Sequence, residues 1–148
     1  MRIVVDINHP ADFHYYKNFI AAMVNKGHDI HITASEKDVS FRLLDSSGLD
    51  YVNLGSYGKS LSRKILNIGN MDYKMYKAVK GFNPDVFLGL GSIRAPHVAF
   101  FLGKKSINFE DTEIASQQMI LRMPFVSTVL TPDCFKGRLG QKQVRYNG

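Results

Sequence analysis

The sequence predicts an α/β fold, a doubly wound parallel sheet covered by helices on both faces. Three observations predict it. Strand-like and helix-like stretches alternate about five times along the 148 residues, with short connections. The opening run Ile3-Val4-Val5 is continuously apolar, as in a strand buried on both sides. Glycine or proline closes several of the helical stretches. A chain of this length buries roughly 70% of its unfolded surface and needs no disulfide or metal to fold.

Ile3-Val4-Val5 is read as the first strand, ended by Asp6-Ile7-Asn8-His9-Pro10, where the proline is expected to break regular structure. From His14, the residues Phe19, Ile20, Met23 and Val24 recur at helical spacing, and Gly27 stops the helix. Ile30 to Thr33 alternates as a strand; a helix follows from about Asp38 to Ser47, stopped by Gly48, and then a short strand over Tyr51 to Leu54. Ser60 to Gly81 reads as one or two helices, interrupted at Gly69-Asn70 and closed by Asn83-Pro84. Asp85 to Leu88 is a strand, Gly89 to Ser92 a glycine loop, Ile93 to Leu102 a helix and Ser106 to Phe109 a strand. A helix around Ile114 to Arg122 and a strand over Val126 to Leu130 complete the series. Residues 1–131 therefore form one domain. Residues 132–148, with three glycines and few apolar side chains, are expected to be a linker or tail toward a second domain.

No window of 18 apolar residues occurs, and the amino terminus reads as a strand rather than a signal peptide. The single cysteine, Cys134, reads as a free structural thiol and fits a reducing, cytoplasmic compartment. The net charge of +6 is local. Lys59 to Lys80 carries +5 and Lys136 to Arg145 carries +4, so the remainder is net negative. The first segment is amphipathic, and its default role is core packing with a solvated basic face. Its sharper reading is peripheral contact with an anionic membrane surface. Nucleic acid is not an expected partner, because no recognition motif accompanies the charge.

In a parallel sheet, ligands bind beyond the carboxyl ends of the strands. The loop from Asp6 to His14 contains no glycine, which argues against a dinucleotide cofactor. It offers imidazoles at His9 and His14 and a carboxylate at Asp12. A histidine beside an aspartate can act as a general base, whereas the plainer reading makes Asp12 a helix cap. Gly89, Gly91 and Ser92 permit close backbone approach to an anion at a helix start, and Arg94 adds a cation. Glu110, Asp111, Thr112 and Glu113 concentrate acids that could grip sugar hydroxyls or simply favour a helix amino terminus. No cofactor and no metal site is expected. His28 and His31 read as scaffold, and His97 is indeterminate.

The run Asn83-Pro84-Asp85-Val86-Phe87-Leu88-Gly89-Leu90-Gly91-Ser92 and the acidic turn Phe109 to Glu113 resemble the amino-terminal half of GT-B glycosyltransferases, among them the peptidoglycan N-acetylglucosaminyltransferase. A closer resemblance is to a prokaryotic domain of unknown function grouped with the GT-B and UDP-N-acetylglucosamine 2-epimerase folds. It is carried by Asp6 to His14, Gly58-Lys59-Ser60-Leu61, Asp111-Thr112-Glu113 and Leu130-Thr131-Pro132-Asp133-Cys134-Phe135. That family's opening often has His at the position of Asp12 and Gly at that of Asn8, so His14 and His9 both stand as base.

The resemblance implies a Rossmann-like acceptor-side domain, inactive alone, working with a nucleotide-sugar donor held mostly by a second domain. The acceptor would be a sugar or a lipid-linked acceptor. Separately, the cysteine usage and the basic amphipathic stretch lead to the expectation of a cytoplasmic protein, peripheral to the inner face of the membrane if that stretch binds lipid. Two other readings stay open: part of a UDP-sugar 2-epimerase-like isomerase, and a free-standing flavodoxin-like binding module.

Overall fold

The computed structural model describes residues 1–35, 40–56, 61–112 and 116–147. The chain runs β1 (Arg2–Ile7), α1 (Pro10–Asn25), β2 (Asp29–Ala34), α2 (Ser40–Ser47), β3 (Tyr51–Asn53), α3 (Leu61–Val79) and β4 (Val86–Leu90). It continues with α4 (Arg94–Phe101), β5 (Lys105–Phe109), α5 (Ser116–Arg122), β6 (Thr128–Pro132) and β7 (Gln143–Tyr146). All seven strands are parallel, in the order β3-β2-β1-β4-β5-β6-β7. The chain reverses its direction of travel between β1 and β4, the crevice where such sheets place ligands.

The alternation of side chains along β1 supplies two cores. Ile3, Val5 and Ile7 face Phe13, Tyr16 and Ile20 of α1 and Leu44 of α2. Val4 faces the other way, with Phe87 of β4, toward Met71, Met75 and Val79 of α3 and Ala95, Val98 and Ala99 of α4. Burying Phe87 completely contributes on the order of 1.5–3 kcal/mol.

Four expectations are corrected. Pro10 does not end regular structure but begins α1, four residues before the expected start at His14. Its missing N–H is harmless at a first helical position. Gly69-Asn70 does not interrupt α3, which is continuous because Met71 and Met75 anchor it to the core. Gly89 and Leu90 belong to β4, paired with Asn108 and Phe109, so the loop there shortens to Gly91–Ile93. Residues 143–146 are not tail but a seventh strand on β6. Gln143 Nε2 donates to Thr131 Oγ1 at 2.9 Å, and Arg145 Nη1 donates to the carbonyls of Asp133 and Phe135 at 3.0 and 2.7 Å. Lys142 Nζ donates to the carbonyl of Met123 at 2.7 Å, so part of the carboxyl-terminal basicity is spent inside the fold. The starts of the helices expected from Asp38 and from Ile114 lie outside the described residues.

Candidate functional site

Asp6, near the carboxyl end of β1, is buried without exposure and collects the surrounding polar groups. Its carboxylate accepts from Thr33 Oγ1 of β2 at 2.8 Å, from Asn8 Nδ2 at 2.7 Å and from Ser92 Oγ at 2.6 Å. Arg94, the first residue of α4, donates Nη2 to Asp6 Oδ1 at 2.7 Å and Nε to both carboxylate oxygens at 3.1 Å. Arg94 Nη2 also reaches Asn8 Oδ1 at 2.6 Å, and Ser35 Oγ donates to the same oxygen at 3.0 Å. One carboxylate thus ties β1, β2 and the turn after β4 together at the switch point. Arg94 was expected to add a cation for an anion at this helix start; its side chain is fully buried and its charge is met by Asp6.

Ser92 caps α4, accepting from the Ala95 amide at 3.1 Å, and its carbonyl accepts from Asn108 Nδ2 at 2.6 Å. Gly89 lies flat beneath that turn. Gly91, at φ +61°, gives its amide to the Phe109 carbonyl at 2.9 Å. Glu110 is also buried and pairs with Arg122 of α5, whose guanidinium has no exposure. Burial lowers the Arg122 pKa to about 10. Asp111 is exposed and Thr112 half-buried, while Glu113 lies outside the described residues.

The opening loop divides its labour. His9 is the N-cap of α1, its Nδ1 accepting from the Ala11 amide at 3.2 Å. Asp12 returns its carboxylate to the amides of Asn8 at 2.8 Å and His9 at 3.1 Å, completing a capping box. Asp12 therefore shows the capping geometry and faces backbone amides at the loop's start. His14 is exposed and meets the Phe13 ring edge-on at 5.4 Å. To the side of this end of the sheet, beyond β3, an open cleft of about 640 Å³ is lined by residues including Leu54, Gly55, Lys74 and Lys77.

The family model described as "Protein of unknown function (DUF354)" matches residues 1–141. The chain belongs to this family. No curated protein matches the sequence. Among solved structures, the DUF354 chain is similar to MurG of Acinetobacter baumannii, with a TM-score of 0.71 and 13% identity over 93% of this chain and 44% of that one. It is similar to the UDP-GlcNAc 2-epimerase of Methanocaldococcus jannaschii, with a TM-score of 0.68 and 16% identity over 89% of this chain and 39% of that one. A third likeness is to the glycosyltransferase VinC in complex with dTDP, with a TM-score of 0.62 and 13% identity over 84% of this chain and 38% of that one. These likenesses show the fold, a Rossmann-like domain of the GT-B kind. The chain spans about two fifths of the length of each.

Sequence reasoning missed several members of this candidate site: Asn8, Thr33, Ser35, Asn108 and Arg122. Three of them carried a signal, since a small polar side chain at the end of a buried strand needs a partner there. His97, left indeterminate, joins three helices. Its Nδ1 lies 2.8 Å from Asp72 Oδ2 of α3 and its Nε2 lies 3.0 Å from the Leu121 carbonyl of α5. Both nitrogens face acceptors, an arrangement that favours the protonated ring. Burial lowers the His97 pKa, but the Asp72 carboxylate and the Leu121 carbonyl outweigh it and the net shift is upward.

A pKa raised on folding stabilises below the unfolded value, about 6.5, and the contribution is lost as pH rises through the folded value. Thermal melts should therefore show His97→Gln losing about 1 kcal/mol relative to the parent at pH 6, with the gap closing in alkaline buffer. A gap that widened with pH would contradict this assignment.

Proposed function

We propose that this DUF354 chain is the acceptor-side, amino-terminal domain of a two-domain glycosyltransferase-like protein that uses a nucleotide-sugar donor. The observation that carries the reading is the stitched floor at the β1/β4 switch. Asp6, Arg94, Ser92 and Asn108 are consumed in holding it, leaving His14, Asp111 and Gly91 at least partly open above it. The likeness to a transferase holding dTDP and to a UDP-GlcNAc epimerase supports the nucleotide-sugar chemistry.

His14 is the better base of the two histidines. The Nδ1 lone pair of His9 is engaged by the Ala11 amide, so a neutral His9 carries its proton on Nε2. Among the described residues His14 makes no hydrogen bond, and its ring can accept at either nitrogen. In the reaction, an acceptor hydroxyl oxygen bonds to the anomeric carbon, the bond from that carbon to the diphosphate breaks, and His14 takes the hydroxyl proton. The nucleoside diphosphate departs to the second domain's side of the cleft.

In the complete protein, His14→Ala should lower kcat by about 10²–10⁴. His9→Ala should cost about 1 kcal/mol of stability through the lost cap, with a far smaller effect on kcat. Full turnover by the His14 variant would remove the assignment. Residues 1–148 alone should turn over no UDP-sugar; measured turnover would sink the two-domain reading. Release of an epimerised sugar without any acceptor would favour the isomerase.

A second reading, peripheral contact with anionic lipid, is favoured by one specific observation. Tyr73 and Tyr76 of α3 and Phe100 and Phe101 of α4 are exposed, Phe101 to 69%, and Lys77 and Lys80 sit 5.7 and 5.9 Å from the Tyr73 and Tyr76 ring centres. Among the described residues no helix is long and apolar enough to cross a membrane. Apolar rings flanked by ammonium groups suit a headgroup layer. The chain should sediment with phosphatidylglycerol vesicles at low salt and not with phosphatidylcholine. Absence of sedimentation at low salt would remove the reading.

A further inference from the structure

One aromatic group at the carboxyl end of the sheet takes no part in the stitched floor. Tyr15 of α1, Phe109 at the end of β5 and Tyr146 at the end of β7 come together there, with Tyr16 behind them. Tyr15 lies 5.2 Å from Phe109 at 63° and 5.2 Å from Tyr16 at 84°, so neither neighbour stacks on its face. It is 42% exposed.

The Tyr15 and Tyr146 hydroxyls are 3.5 Å apart, at the outer limit of a hydrogen bond, which leaves both able to take a better partner. Tyr16 is only 2% exposed, and among the described residues its hydroxyl has no hydrogen-bond partner. Buried hydroxyls are rarely left so without a reason. Asp111, two residues beyond Phe109 where the chain leaves β5, is exposed. Burial, Tyr146 and, least, the Asp111 carboxylate push the Tyr15 hydroxyl above its ordinary pKa.

We propose that Tyr15, Tyr146 and Phe109, with the neighbouring Asp111 carboxylate, form the wall on which a sugar ring docks. The inference rests on the acceptor-side reading and gives it a location. A pyranose has one face of C–H bonds, which packs on aromatic rings, and a rim of hydroxyls, which carboxylates and phenols bind. A few polar groups set in an apolar surface is the usual composition of a small-molecule site. The exposed acid also selects the class of ligand: it accepts from hydroxyls and repels phosphate, so a neutral sugar suits this wall better than a nucleotide.

The test is a titration of the full chain with N-acetylglucosamine, read by NMR of the tyrosine ring signals and by tyrosine fluorescence, which no tryptophan obscures. Saturable shifts are expected at Tyr15 and Tyr146. Tyr15→Ala should weaken binding by about tenfold, whereas Tyr15→Phe should stay within about threefold of the parent, with a thermal melt of each variant checking that it is folded. Asp111→Asn should weaken it as well. Shifts that do not saturate, equal affinity in Tyr15→Ala, or tighter binding of uridine monophosphate than of the sugar at these rings would each overturn the proposal. Failure here leaves the turnover experiments on the complete protein untouched. Conversely, a complete protein that transfers no sugar would remove the transferase reading while a bound sugar on these rings would stand.

Discussion

Arg94→Met should lose about 3–5 kcal/mol of unfolding free energy, the cost of leaving a buried carboxylate without its cation. Asp6 has no exposure, and its remaining donors, Thr33, Asn8 and Ser92, are neutral. Domains of this kind hold only about 5–15 kcal/mol in total, so the variant should sit near the edge of folding at 37 °C. The urea midpoint checks the size of the loss. A double-mutant cycle identifies its origin: Asp6→Asn with Arg94→Met should be more stable than the two single losses added together, because the second change removes the stranded charge. A loss below about 1 kcal/mol for Arg94→Met would mean that water or another cation reaches Asp6, against the packing described above.

Gly89→Ala should cost about 2–3 kcal/mol, more than its one methyl suggests. A Cβ there would lie 2.5 Å from Ser92 Cβ and 3.1 Å from Asn108 Oδ1. Neither neighbour can swing away cheaply. Ser92 is fixed by Asp6 and the Ala95 amide, and Asn108 holds the Ser92 carbonyl. The matched control is Gly69→Ala on the exposed side of α3, where a Cβ meets nothing within 4 Å. That change should stabilise by about 0.5–1 kcal/mol, since alanine outranks glycine in a helix. If both glycine variants shifted the urea midpoint equally, the tight turn over Gly89 would carry no special strain.

The elements that obey local rules were legible in the sequence. Ile3-Val4-Val5 declares a buried strand, and Gly27 and Gly48 mark helix ends with φ of +76° and +69°. The misjudged boundaries are those where a local signal has two meanings. Pro10 stops a helix from the inside but starts one from its first turn, and choosing between them needed the capping box of His9 and Asp12. Gly69-Asn70 weakens a helix locally, and the buried methionines that overrule it belong to the tertiary structure. β7 escaped notice because Val144 and Arg145 alternate around an edge rather than filling a core. The candidate site was legible as loops but not as pairings. Nothing one-dimensional ties Asp6 to Arg94, 88 positions away, or Glu110 to Arg122 across a helix. Such pairs exist because the sheet order brings the helices that carry the arginines against the strand ends that carry the acids.

The placement of β1 between β2 and β4 also bears on how the molecule is made. Ile3 pairs with Ile30 on one side and with Val86 on the other. During synthesis the central strand emerges before either neighbour, and its second edge stays open until residues more than eighty positions later leave the ribosome. At about 5–20 residues per second, the interval is roughly 4–16 seconds. Through that time the apolar run Val4-Val5-Ile7 has half its hydrogen bonds unmet, with Asp6 carrying a charge in its midst before Arg94 exists to neutralise it. A charge within an apolar strand disfavours edge-to-edge pairing with a neighbouring chain, and in the folded molecule the same side chain fastens the site.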